Sequence, residues 1–508
     1  MKPFKTIFLL IFCMFLLPLL VSGNPGKEDS PKAVPQAKEF ITKGSLVLGK
    51  TTLDYTTHAS ETYIKDKKGN PCASIFSIAY FKDGVKDLTR RPISFIFNGG
   101  PGSSSVWLHM GLLGPMRINV PSDATDDGAP PYQIEQNPFS LLSVTDLVFI
   151  DPVGTGYSRA LGESTDKDFW GVDRDASSIA EFIRLIITQF KRWNSPKYII
   201  GESYGSIRAA LLVGELQGYF TSIALNGVML ISPALDIKTF IFTPGNELPF
   251  VTYLPSYATA AWYHNKLPRK PDNFEAFLQE VRDFAANDYL VALFQGDSLD
   301  EEKKSHIVDK LHQYTGLDKI YLRRTNLRID SSRFLKELLR DRGLILGRAD
   351  CRYVGKDPDD AGEYTENEPE LSGTDSAFTA SVNDYLGRVL KVDLEREYEI
   401  LNLDASMTWK RPETHLRLFS GFMTVIPILA KGAAENKDLR IFVANGYFDL
   451  TTAFFSAEYM FNHSGIPKDR ITMKYYHGGH MMYTHEPSFK QLAADLRDFI
   501  LAGDKQQY

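Results

Sequence analysis

The stretch Ile199–Ala210, IIGESYGSIRAA, carries an apolar pair into Gly-Glu-Ser-Tyr-Gly and then into a helix-like segment. A short apolar run that ends in G-x-S-x-G and continues as a helix reads as a strand, a sharp turn and a helix. Gly201 and Gly205 leave room for the close backbone approach that such a turn forces, and Ser203 sits at its apex. The helix N-terminus would then point its dipole at charge developing beside the serine. The pentapeptide alone is compatible with an ordinary turn. Its strand-turn-helix context is what marks Ser203 as a candidate nucleophile. Glu202 is the odd neighbour, a carboxylate next to an atom that must attack an electron-poor carbonyl.

Working outward, three more short apolar runs end in Gly or Pro: PISFIFNGGPG, DLVFIDPVGTG and GVMLISPALD. Runs of this kind separated by helical patterns predict strands of a mostly parallel sheet buried on both faces. Before them, SLVLGKTTLDY and ASIFSIAYFKDG alternate in hairpin fashion. From Pro244 to Leu401 charged helical segments dominate, such as DNFEAFLQEVRDFAAND and SSRFLKELLRDRG, with an acidic Gly/Pro loop at Asp357–Glu370. That loop reads either as a mobile lid or as a solvated surface loop. Strand-like runs return at RIFVANGYFD and ITMKYYHGGH, and an amphipathic helix closes the pattern. A sheet interrupted by helices and then completed predicts the α/β class. The expected architecture is an α/β-hydrolase fold: a mostly parallel central sheet, helices on both faces and a helical cap insertion. The boundaries read as a signal peptide at 1–23 and a linker at 24–38. The core follows in two parts, 39–243 and 402–508, with the cap at 244–401 between them.

The 508 residues suit one large domain with an insertion. The net charge of −6 is spread along the chain, which argues against nucleic acid as a partner. Lys2 and Lys5 precede the apolar run Ile7–Val21, and Val21-Ser22-Gly23 offers small residues for cleavage. This pattern predicts a signal peptide and export to a secreted or periplasmic location, with no membrane attachment after cleavage. Cys72 and Cys351 would then be the remaining cysteines, able to form one disulfide or to stay as two free thiols.

A serine hydroxyl needs a base, and the base needs an orienting carboxylate. In this fold they follow in the order Ser, Asp, His at the ends of later strands. Asp449 lies just past the run RIFVANG, in a loop opened by Gly446. His480 follows Gly478-Gly479, whose backbone freedom would let the imidazole reach the serine. His477 still belongs to the strand pattern, and His485 is expected at a surface turn. No H-E-x-x-H or cysteine cluster accompanies them, so neither a metal nor another cofactor is expected. The loop NGGPGSSS, Asn98–Ser105, lacks the features of a phosphate loop. It reads as half of an oxyanion hole whose other half is the Tyr204 backbone N–H.

FNGGPGSSS, GPMRI, DPVGTGYS, GESYG, NGYFD and GGHM stand in the order seen in the serine carboxypeptidase family of α/β-hydrolases, which this chain resembles from about Arg91 to Phe499. The resemblance implies Ser203 as nucleophile, His480 as base and Asp449 as orienter. It further implies Gly100 and Tyr204 as oxyanion donors. Asn98, the Gly99 backbone and Glu202 would hold the substrate's terminal carboxylate. That role explains the glutamate, since a protonated Glu202 donates a hydrogen bond to a carboxylate whereas an ionised one repels it. Three departures stand out. The family's second glutamate is replaced by Leu112, its D-Q-P is shortened to Asp151-Pro152, and its several disulfides are reduced to at most one. The last two suggest a bacterial-type branch. The first removes the like-charge repulsion that two carboxylates sharing a proton would exert, leaving burial to raise Glu202.

The expected function is therefore that of an exported serine exopeptidase acting on peptides or proteins with a free C-terminus. A serine-carboxypeptidase-like acyltransferase or esterase would use the same residues. A non-catalytic binding protein on the same scaffold is the reading from another class.

Overall fold

A computed structural model describes residues 34–218, 222–411 and 422–505. The expected signal peptide, and most of the expected linker, lie outside the described residues. The central sheet is built from β1 (Glu39–Leu48), β2 (Thr51–Lys65), β3 (Pro71–Lys82), β4 (Ile93–Phe97), β5 (Asp146–Ile150), β6 (Lys197–Glu202), β7 (Gly227–Ile231), β8 (Arg440–Gly446) and β9 (Ile471–Tyr476). Their spatial order is β1-β2-β3-β5-β4-β6-β7-β8-β9, and a two-residue strand, Arg159–Ala160, pairs with β3. The first three strands form the antiparallel meander expected from their alternation. From β5 onward every neighbour pair is parallel.

The apolar runs of the parallel strands divide between the two faces by the period of two. Phe95, Val148, Ile199, Val228, Leu230, Ile441 and Val443 join one hydrophobic cluster. Ile96, Phe149, Ile200, Met229, Ile231 and Phe442 join the other. Helices α1 (Val172–Gln189) and α2 (Tyr204–Leu216) cover the first face with Phe182, Ile183, Leu212 and Val213. The C-terminal helix, Glu486–Lys505, covers the second with Phe489, Leu492, Leu496 and Phe499. Burial on both faces is why these strands read as continuous apolar runs.

Strand order reverses direction at β4: the chain goes from β4 to β5 on one side and to β6 on the other. The carboxyl ends of β4 and β6 lie at this switch point, the usual ligand position in such sheets. Between β7 and β8 the chain is mainly helical, and its residues form a third hydrophobic cluster that also takes in Tyr447, Phe448 and Phe454 from just after β8.

The possible Cys72–Cys351 disulfide is not formed. Both residues are buried free thiols. Cys72 lies on β3 within the α1/α2 cluster, and Cys351 lies in the helical segment's own cluster. A bridge needs two Cα atoms within about 7 Å, which two separate cores do not provide. The acidic loop is tied at both ends. Asp357 is ion-paired with buried Lys336 at 2.8 Å, and Glu370 is fully buried.

Candidate active site

The β6–α2 turn is sharp enough to put Ser203 at φ +58°, a left-handed conformation that L-residues rarely hold. Its amide bonds the Ile231 carbonyl at the end of β7, 3.0 Å away. Any Cβ on Gly201 would collide with the Gly205 carbonyl, so the tight crossing needs the glycine. On α2, buried Arg208 pairs with Asp175 of α1 at 2.8 Å and donates from Nη1 to the Asn98 carbonyl at 2.8 Å. One guanidinium thus ties the loop after β4 to the helix after β6. The approach is close: a Cβ on Gly99 would lie 2.5 Å from the Tyr204 nitrogen. Gly100, next along, has φ +98°. The loop's far end is held where Ser105 N–H donates to Asp151 Oδ1 at 2.9 Å.

At the ends of β8 and β9, His480 Nδ1 meets Asp449 Oδ2 at 2.8 Å. Asp449 accepts three further bonds. Thr451 and Thr452 amides reach Oδ1 at 2.7 and 2.8 Å, and the Thr452 hydroxyl reaches Oδ2 at 2.6 Å. Burial alone would raise this carboxyl. The histidine and these donors outweigh it and hold its pKa below the usual carboxylate value. Burial would lower His480, but the Asp449 charge and hydrogen bond, with Glu202 nearby, raise it instead. Ser232, one residue past Ile231, donates from Oγ to the His480 carbonyl at 2.8 Å. The end of β7 therefore bonds the Ser203 backbone on one side and the His480 backbone on the other.

The segment Arg348–Cys351 from the helical region stitches the two later loops together. Leu450 N–H donates to the Arg348 carbonyl at 3.0 Å, and Cys351 N–H to Phe448 at 3.0 Å. His480 N–H donates to the Ala349 carbonyl at 2.5 Å, and Gly479 N–H to Asp350 Oδ2 at 2.9 Å. A Cβ on Gly479 would run into Ala349 and Asp350, so this position has to be glycine. Asp350 is itself gripped by the Arg352 guanidinium.

Glu202 ends β6 and is 4% exposed. Burial pushes its carboxyl up to about 7, against the lowering influence of His480 and of hydrogen bonds from Tyr483 and Asn98. Burial is the largest cause of the rise, as expected without a second glutamate, and the nearby Asp449 charge adds to it. Leu112 is fully buried in the π-helical turn Leu108–Leu113, within the apolar cluster.

Asn98, Gly99, Gly100, Glu202, Ser203 and Tyr204 thus gather at the carboxyl ends of β4 and β6, and Asp449 with His480 at those of β8 and β9. His477 follows β9 but packs among Phe274, Tyr447 and Phe448. His485 is half-buried rather than on an open surface turn, because its Nδ1 bonds Ser488 Oγ in the first turn of the last helix. Thr452, Asp350 and Tyr483 were not singled out from sequence. Thr452 had a faint signal, since a Thr three residues after an Asp is a common turn pattern. The other two depend on segments far apart in the chain.

A family model described as serine carboxypeptidase matches residues 80–492. Serine carboxypeptidase-like 38 of Arabidopsis thaliana is 27% identical over 190 residues, 36% of either chain. The pheromone-processing carboxypeptidase KEX1 of Ogataea parapolymorpha is 28% identical over 195 residues, 37% of this chain and 29% of that one. The match thus spans about a third of the length of these curated relatives. The crystal structure of Kex1(Δ)p, a prohormone-processing carboxypeptidase from Saccharomyces cerevisiae, superposes with a TM-score of 0.54 at 16% identity, covering 88% of this chain and 91% of that one. That likeness establishes a shared fold. The family model covers most of the sequence, and the chain belongs to the serine carboxypeptidase family.

Proposed function

We propose that this protein is a serine carboxypeptidase that hydrolyses C-terminal peptide bonds through an acyl-enzyme. The observation that carries the reading is the Asp449–His480 pair, held at 2.8 Å and bonded through Ser232 to the strand end that also holds the strained Ser203 backbone. Ser203 Oγ attacks the scissile carbonyl while His480 takes its proton, and Asp449 keeps the imidazole oriented and stabilises its charge. The oxyanion accepts from the Gly100 and Tyr204 N–H groups. His480 then returns the proton to the departing amine, and water resolves the ester by the reverse of these steps. Asn98, the Gly99 backbone and protonated Glu202 receive the substrate's terminal carboxylate.

The helical segment 244–401 serves as the cap in this proposal, and its Arg348–Cys351 stretch ties it to the reacting loops. The substrates are peptides with a free C-terminus, and the N-terminal apolar run directs export. Among the described residues, no helix is long and apolar enough to cross a membrane. Timed mass spectrometry of a peptide digest tests the reaction. A C-terminal ladder with the wild type, absent with Ser203→Ala, is the expected result. Products cut internally, or acyl transfer to an added alcohol in place of hydrolysis, would overturn it.

A further inference from the structure

Leu112 leaves Glu202 without the second carboxyl that the family pattern places there, yet Glu202 is not without a partner. The Tyr483 hydroxyl donates to Glu202 Oε2 at 2.8 Å, and both residues are buried. Asn98 lies near both and helps lower their pKa values against burial. Its Oδ1 accepts the Leu108 N–H at 3.0 Å. The tyrosine thus gives its hydroxyl proton to Glu202. The ring reaches this position across Gly111, the residue before Leu112. A Cβ there would lie 2.7 Å from Tyr483 Cε2 and 3.3 Å from Phe378 Cζ.

We propose that Tyr483 is the positioning residue of the carboxylate clamp, and that its hydroxyl takes the place of the carboxyl missing at Leu112. The proposal rests on the carboxypeptidase reading above. Because the phenol occupies Oε2, the proton of neutral Glu202 sits on Oε1 and is free to meet a substrate carboxylate. Burial keeps the phenol protonated at every working pH. The clamp then has one titrating group where a pair of glutamates would have two that share a proton. The charged and titrating groups around it are His480 and Asp449 beside Glu202, and Glu370, which acts on Tyr483. Recognition of a terminal carboxylate should accordingly be lost in a single proton step as Glu202 ionises.

The test compares kcat/KM for a blocked dipeptide and for its C-terminal amide across pH. In the wild type the acid-to-amide preference should fall through one ionisation. Tyr483→Phe removes a donor that favours ionised Glu202, so that fall should move up by about one pH unit. At acid pH the variant's KM for the free acid should rise about tenfold, because the proton is no longer steered to Oε1. Gly111→Ala, which keeps the hydroxyl and displaces the ring, should shift the profile in the same direction. Near-UV circular dichroism and a cooperative melt report folding. If Tyr483→Phe does not fold, Gly111→Ala decides alone. Variants that keep both the wild-type midpoint and the wild-type KM overturn the role of Tyr483. A wild type that cleaves the amide as well as the acid at every pH overturns the carboxylate reading itself.

Discussion

Asp350 Oδ2 accepts the Gly479 N–H at 2.9 Å, one residue before His480, while the same carboxylate is held by Arg352. A residue of the helical segment thus sets the backbone that carries the imidazole. Asp350→Ala would leave Arg352 as a buried cation without its partner, at a cost of about 3 kcal/mol. Urea unfolding should show that loss. Kinetics of the folded fraction should show a fall in kcat with KM little changed, since the imidazole and not the substrate pocket is displaced. A loss confined to KM would assign Asp350 to substrate binding instead.

The Thr452 hydroxyl gives Asp449 one of its four hydrogen bonds and lies 3.1 Å from His480 Nδ1. Thr452→Val keeps the shape and removes the hydroxyl, which costs a charge-assisted bond of about 1.5–3 kcal/mol. We expect kcat to drop about tenfold or more, with recovery in Thr452→Ser. Equal activity of the Val and Ser variants would mean that the two backbone amides suffice.

Ser203 holds φ +58° and ψ −127°, a conformation open chiefly to glycine. Ser203→Gly should therefore be more stable than Ser203→Ala by about 1 kcal/mol, although both lose peptidase activity. Chemical denaturation of the two variants side by side gives the answer. Identical midpoints would show that the turn stores no strain.

Glu202 keeps its proton up to about pH 7 in the native state and would lose it near 4.5 when unfolded. Between those values the native state binds the extra proton, so its stability falls as pH rises. The fall amounts to about 3 kcal/mol by pH 8. His480, raised above its ordinary value, adds stability at low pH that is likewise lost as pH climbs through its native pKa. Asp449 works the other way, since its lowered carboxyl contributes above its unfolded pKa and is lost in strong acid. Glu202→Gln should remove its own part of the alkaline loss, so the variant gains on the wild type between pH 5 and pH 8. Parallel melting curves at both pH values would contradict this.

The parallel strands, the turn at Ser203 and the order of Ser203, Asp449 and His480 were legible in the sequence. Each is a local pattern: apolar runs buried on both faces, glycines where a backbone must pass closely, and loops that follow strands. Asp449 shows the limit of that reading. In sequence it looks like a turn-forming aspartate, and it is one through Oδ1, while Oδ2 faces a histidine 31 residues on. The free state of Cys72 and Cys351, the grip of Asp350 on Gly479 and the hydroxyl that Tyr483 offers Glu202 were decided by tertiary structure alone. These contacts join residues about 130 to 280 positions apart. No spacing encodes which side chain arrives at such a distance. Which segments pack over the carboxyl ends of the strands decides it.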